Sequence, residues 1–146
     1  MSSKIAANGV RGTVTPARTS FFRALYSGGM AKRGVTVADG RAYALTLPRA
    51  YEVFVRGRIK FRVGRIVFVD FSRDDTVMGF GFPKEWRQAL VESEPEKFLL
   101  PEESDMRFHW ACVWLDAIDE EEMRELVLNA WAMVVPKYVS APYAQG

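Results

Sequence analysis

Cysteine and histidine are nearly absent: the chain has one of each, Cys112 and His109. A lone cysteine closes no internal disulfide, which excludes a disulfide-built secreted fold and points to a reducing cytoplasm. Two such residues cannot complete a zinc site. Three apart on an expected strand, they point to opposite faces, so they form no Cys-His dyad. No glycine-rich phosphate loop is present; "GFGFP" at 79–83 has the wrong spacing and runs into proline rather than a helix N-terminus. No apolar run reaches the length of a membrane span, and the longest strand-like one, "IVFVDF", is broken by Asp70. Carboxylates abound, yet "DEEE" at 119–122 is explained as a helix start. A catalytic carboxylate pair is assembled in space and leaves no spacing to read. No catalytic residue, cofactor or metal ligand is assigned, and the chain is read as a binding protein rather than an enzyme.

Acids are also missing from residues 1–33, which hold Lys4, Arg11, Arg18, Arg23, Lys32 and Arg33. The overall charge of +2 therefore misleads: residues 34–146 carry fourteen basic and eighteen acidic side chains, a net −4. That weighs against coating DNA by charge alone, although a local patch still works on an acidic protein. Residues 1–33 read as a basic, disordered extension, or as translated upstream sequence ahead of a start at Met30. The superficial likeness to an organellar transit peptide is compositional only. With 49% apolar residues the remainder supports one domain with its own core, over 34–137. Residues 138–146 read as a frayed, flexible tail.

The pattern from Thr36 predicts a capped helix, with Asp39 completing a capping-box relative. Val37, Arg41, Ala44 and Leu45 lie on one side, and Leu47-Pro48 ends the element. A meander follows: "YEVFV", a turn at Gly57, "RIKFRV", a two-residue turn at Gly64-Arg65, "IVFVDFS", a turn at 73–75, and "TVMGFGF". Pro83 opens a second helix expected to bury Trp86, Ala89, Leu90 and Ser93 before Pro95. "EKFLLP" is a short extended piece, and "MRFHWACVWLD" alternates with period two. The last helix, capped at Asp119, shows the stripe Met123, Leu126, Val127, Ala130, Trp131 and Val134, and Pro136 ends it. The expected architecture is a two-layer α+β domain. Its antiparallel sheet carries helices on one face, in the order α, three or four strands, α, one or two strands, α.

Two surfaces stand out. Arg58, Lys60 and Arg62 alternate with Ile59, Phe61 and Val63, so the cations share one face of a strand. With Arg56, Arg65 and Arg73 on neighbouring turns, they form a candidate phosphate-binding surface in which two adjacent hairpin tips act as small wings. The bland reading is a solvated face whose charges discourage edge pairing. The second surface is the aromatic strand. Phe108, Trp110, Cys112 and Trp114 share one face, expected as the larger apolar face to meet the helices; Arg107, His109, Ala111, Val113 and Leu115 share the other. Apolar side chains on both faces imply burial on both sides, against a partner chain, a ligand, the N-terminal segment or a second copy in a homo-oligomer. His109, Trp110 and Trp114 are the candidate residues for such a ligand or partner surface.

From about Val35 to Lys137 the chain resembles the MmcQ/YjbR family of small bacterial proteins. The resemblance rests on "TVADGRAYALTLPRAYE", "VRGRIKFRVGRIVFV", "RDDTVMGFGFPKEWRQALVESEPEKFLLP" and "RFHWACVWLDAIDEEEMRELVLNAWAMVVPK". Within them stand Leu47-Pro48, Phe61-Gly64-Phe68, His109-Trp110, Asp119 to Leu126, and Lys137. It implies a secretion-chaperone-like α+β fold and double-wing DNA binding. The residues carried over by position are Arg56, Arg58, Lys60, Arg62, Arg65 and Arg73.

Overall fold

The computed structural model describes residues 34–144. The readings of residues 1–33, and of 145–146, lie outside the described residues. The domain is α+β in two layers. Six strands form one antiparallel sheet in the order β1-β2-β3-β4-β6-β5.

Helix α1 (Val37–Ala44) begins where the sequence says it should. The Thr36 hydroxyl accepts the Asp39 N–H at 3.1 Å, and the Asp39 carboxylate accepts the Thr36 N–H at 2.9 Å. Its buried side differs from expectation. Gly40 and Ala44 face the sheet, while Leu45 is exposed. The helix closes on its smallest residues, because a Cβ at Gly40 would stand 2.7 Å from Cζ of Phe71.

The meander is as read. Strand β1 (Tyr51–Val55) turns at Arg56-Gly57 into β2 (Arg58–Val63), which turns at Gly64 into β3 (Ile66–Phe71) and then β4 (Val77–Gly81). Arg56 and Gly57 both take positive φ, as a type I′ turn requires. A bulge between β2 and β3 pairs Phe61 with Val69 but Arg62 with Val67. The extra residue, Phe68, joins Val69 in full burial.

Helix α2 (Lys84–Ser93) is rotated from expectation. Trp86 and Ala89 are exposed, whereas Arg87 is buried and Leu90 and Val91 pack on the core. The cause lies in β5 (Phe98–Leu99), which pairs with only two residues of β6 (Trp110–Trp114). Arg87 makes up the missing partner: Nη1 donates to the carbonyls of Phe108 and Trp110 at 3.0 and 2.9 Å, and Nη2 to that of Met106 at 2.7 Å. Residues 107–109 are consequently turn rather than strand.

Helix α3 (Glu120–Ala132) is capped by Asp119, whose carboxylate accepts the Glu122 N–H at 2.8 Å. Met123, Val127, Ala130 and Trp131 are fully buried against the sheet. The inward strand faces opposite them are Phe61, Val69, Phe71, Met78, Phe80, Ala111 and Val113. Beyond Pro136 the chain does not run free. It forms α4 (Lys137–Ser140), and the Tyr143 ring meets Trp131 edge-on at 4.9 Å. Among the described residues no helix is long and apolar enough to cross a membrane.

Candidate functional site

Alternation along β6 decides what faces outward. Ala111 and Val113 are fully buried in the core, so Trp110, Cys112 and Trp114 stand on the face away from the helices. This reverses the expectation that the larger face meets the helices. The smaller one does, because the space under α3 is already filled by Phe71, Phe80 and Trp131. Pairing then carries the face across the sheet. Val53 lies opposite Lys60, Lys60 opposite Asp70, Asp70 opposite Gly79, and Gly79 opposite Cys112. The basic ladder of β2 and the aromatic strand thus share one surface, separated by three ladder steps of about 4.8 Å each.

The six candidate cations do not form a pair of adjacent wings. The Arg56-Gly57 and Gly64-Arg65 turns sit at opposite ends of β2, about 23 Å apart at strand rise. A six-residue strand between two hairpins makes this unavoidable. Arg73 joins the first end: its Nε donates to the Arg56 carbonyl at 2.9 Å, and its side chain lies beside Gly57. At the other end the Tyr51 hydroxyl donates to the Gly64 carbonyl and pins the turn that carries Arg65. Arg56, Arg58 and Arg73 therefore gather at one corner. Lys60 and Arg62 continue along the strand, and Arg65 stands alone.

One carboxylate interrupts the row. Asp70 is buried at 8% exposure, with Lys60 Nζ at 3.5 Å and Arg58 Nη1 at 3.7 Å from its Oδ2. Burial pushes its carboxyl above the ordinary carboxylate range, and Lys60 and then Arg58 pull it back. Its presence explains Gly79, where a Cβ would meet Asp70 Oδ1 at 2.5 Å and the Trp110 indole nitrogen at 2.7 Å. In the sequence Asp70 stands out only as a break in an apolar run. An acid inside a strand of buried residues was the signal that it holds cations. Arg62 is half-buried, its Nε without a hydrogen-bond partner among the described residues.

The aromatic side of the face is acidic rather than basic. Burial pushes the Cys112 thiol up to about 12, with Asp70, Asp105 and Glu102 adding to the rise and Arg58 opposing it. That thiol is no nucleophile at neutral pH. Trp114 is 38% exposed and Trp110 half-buried. His109 sits off the strand and serves α2: its Nδ1 accepts the Lys84 N–H at 3.0 Å, and Glu85 lies 3.9 Å away. It is placed as a helix cap, away from Trp114's outward face.

Charge divides along the chain and hence across the sheet. Residues 34–73, which include β1 to β3, hold eight Lys or Arg against three Asp or Glu, a net +5. Residues 74–146 hold six against fifteen, a net −9. The sheet order places the basic strands at one side and β4, β6 and β5 at the other.

A family model described as YjbR matches residues 45–133. Among solved structures, Deinococcus radiodurans protein DR2400, whose domain is described as DUF419, is similar with a TM-score of 0.62 and 20% identity. The match covers 77% of this chain and 89% of that one. At that identity the likeness shows the fold alone. No curated protein matches the chain.

Proposed function

The chain belongs to the YjbR family, and from that premise we propose that it is a non-enzymatic DNA-binding protein that grips phosphate with the basic side of its sheet. The single supporting observation is the +5 charge of residues 34–73, with Arg58, Lys60 and Arg62 in one row and Arg56 and Arg73 at its end. This contact is a strip along β2 rather than two wing tips. Asp70 lies 3.7 Å from Arg58 and 3.5 Å from Lys60 and offsets one charge of the row. The −9 half repels polyanion and so sets which side of the molecule approaches it.

The test is duplex binding titrated with salt. Three to four phosphate contacts give a log–log slope of about −3 to −4. Replacing Arg58, Lys60 and Arg62 with Ala should flatten it, and a chain beginning at Met30 should keep it. An unchanged slope in the triple variant removes the strip from the interface. Binding by the full chain alone assigns it to residues 1–29.

The 38% exposure of Trp114 favours a second reading, a protein or small-ligand surface on the β6 side. It predicts a tryptophan emission change on ligand addition that salt does not abolish.

A further inference from the structure

The two edges of the sheet are unlike. At the β5 edge the strand is two residues long, and Arg87 occupies the β6 carbonyl of Trp110 that β5 leaves over, with that of Phe108 just before the strand. Among the described residues, 34–144, the β1 edge has no such closure. Of the described strands, β1 pairs with β2 alone, in an unbroken five-residue register. Its sequence, "YEVFV", contains no proline, lysine or bulge, the usual protections of a free edge. Its one charged residue, Glu52, is drawn toward the helix layer by Arg41, with Nε 2.8 Å from Oε1. Phe54 stands 71% exposed and Tyr51 is exposed on the opposite face.

The surroundings specify what would fit. On the face of Tyr51, Val53 and Val55, the β2 partners are Arg62, Lys60 and Arg58. A strand laid along β1 would find long cations behind one of its faces and Phe54 beside the other. A second copy of β1 would bring a second +5 half against the first and be repelled. We propose that the free edge of β1 receives an extended peptide of a partner protein, alternating acidic and apolar residues, as a seventh strand. Main-chain hydrogen bonds supply the attachment, the acidic residues face Arg58, Lys60 and Arg62, and the apolar ones cover Phe54. Five residues of β1 offer an edge of about 17 Å.

The experiment uses the full chain and three synthetic probes long enough to span β1. One alternates Glu and Val, one alternates Lys and Val, and one is the Glu peptide with alternate amides N-methylated. Fluorescence anisotropy should show the Glu peptide bound at least about tenfold tighter than either other probe. Slowed amide exchange should be confined to Tyr51–Val55 on its addition, and Phe54→Ser should weaken binding while the fold persists by circular dichroism. Equal binding of the Lys peptide overturns the charge argument, and equal binding of the N-methylated peptide overturns strand addition. Sedimentation showing a dimer that Phe54→Ser dissociates gives the edge to a second copy and also overturns the proposal. None of these outcomes depends on whether DNA is bound.

Discussion

Replacing Arg87 with Met should cost this domain about 3 kcal/mol. The guanidinium is buried and donates to the carbonyls of Met106, Phe108 and Trp110 at 2.7, 3.0 and 2.9 Å. Hydrogen bonds from a charged donor contribute about 1.5–3 kcal/mol each. The full sum would overshoot, because Met106 and Phe108 lie in a partly exposed turn whose carbonyls can rotate to water. The Trp110 carbonyl belongs to β6 and has no strand to turn to. One carbonyl left bare and two imperfectly rehydrated give about 3 kcal/mol. For the roughly 110 described residues, an unfolding entropy of about 2.1 cal/mol/K each turns this into a fall in Tm of about 13 °C. Thermal unfolding by circular dichroism measures it. Arg87→Lys keeps the charge but offers no planar fork, so it should recover only part of the loss. A Met variant within about 4 °C of wild type, or a Lys variant equal to it, would refute the claim that this fork replaces the missing part of β5.

Lys97 holds Glu94 and Glu122, with Nζ at 3.1 Å from both carboxylates in a buried site. Lys97→Met should cost about 3–5 kcal/mol at pH 7 and recover as acid protonates the stranded carboxylates; chemical unfolding at pH 7 and pH 5 checks this, and equal losses would contradict it. In the wild type, burial raises the Glu94 carboxyl above its ordinary value, with Lys97 pulling back. The folded chain then holds that proton more tightly than the unfolded one. Its contribution is present below the ordinary carboxylate pKa and is lost as pH climbs through the raised one, so Glu94→Gln should flatten that part of the stability–pH curve. Gly79→Ala forces a methyl group to within 2.5 Å of Asp70 Oδ1 and 2.7 Å of the Trp110 nitrogen. It should destabilise by about 1–3 kcal/mol and shift tryptophan emission; an unchanged spectrum would count against the crowding. Tyr143→Ala removes the ring that meets Trp131 and should cost about 1–2 kcal/mol, whereas a free tail predicts none.

The elements were legible wherever a local signal had one meaning. Thr36 with Asp39 and Asp119 before Glu122 marked helix starts by chemistry that acts within four residues. The glycines at 57 and 64 marked turns because positive φ is needed there. The faces were less legible. Arg87 in a helix reads as polar and outward, and only the shortness of β5 draws it in. Trp110 and Trp114 read both as core, because they are large, and as a partner surface, and the core had room only for Ala111 and Val113. The candidate cations were all named from sequence, and a strand between two turns already sets Arg56 and Arg65 at its opposite ends; that Arg73 joins Arg56 depended on which turns share an end of the sheet.

Periodicity, capping residues and glycines by themselves determined an α+β domain with an antiparallel sheet, the alternation that puts Arg58, Lys60 and Arg62 on one face, and a basic stretch in an acidic body. Those features are set by neighbours a few residues away, where backbone geometry leaves little choice. Only the tertiary structure decided that Asp70 stands between Arg58 and Lys60, that Arg87 closes one sheet edge, and that among the described residues β1 leaves the other open. These depend on which strands lie side by side and how long each is. Pairing brings together residues far apart in the chain, and local propensity carries no record of that.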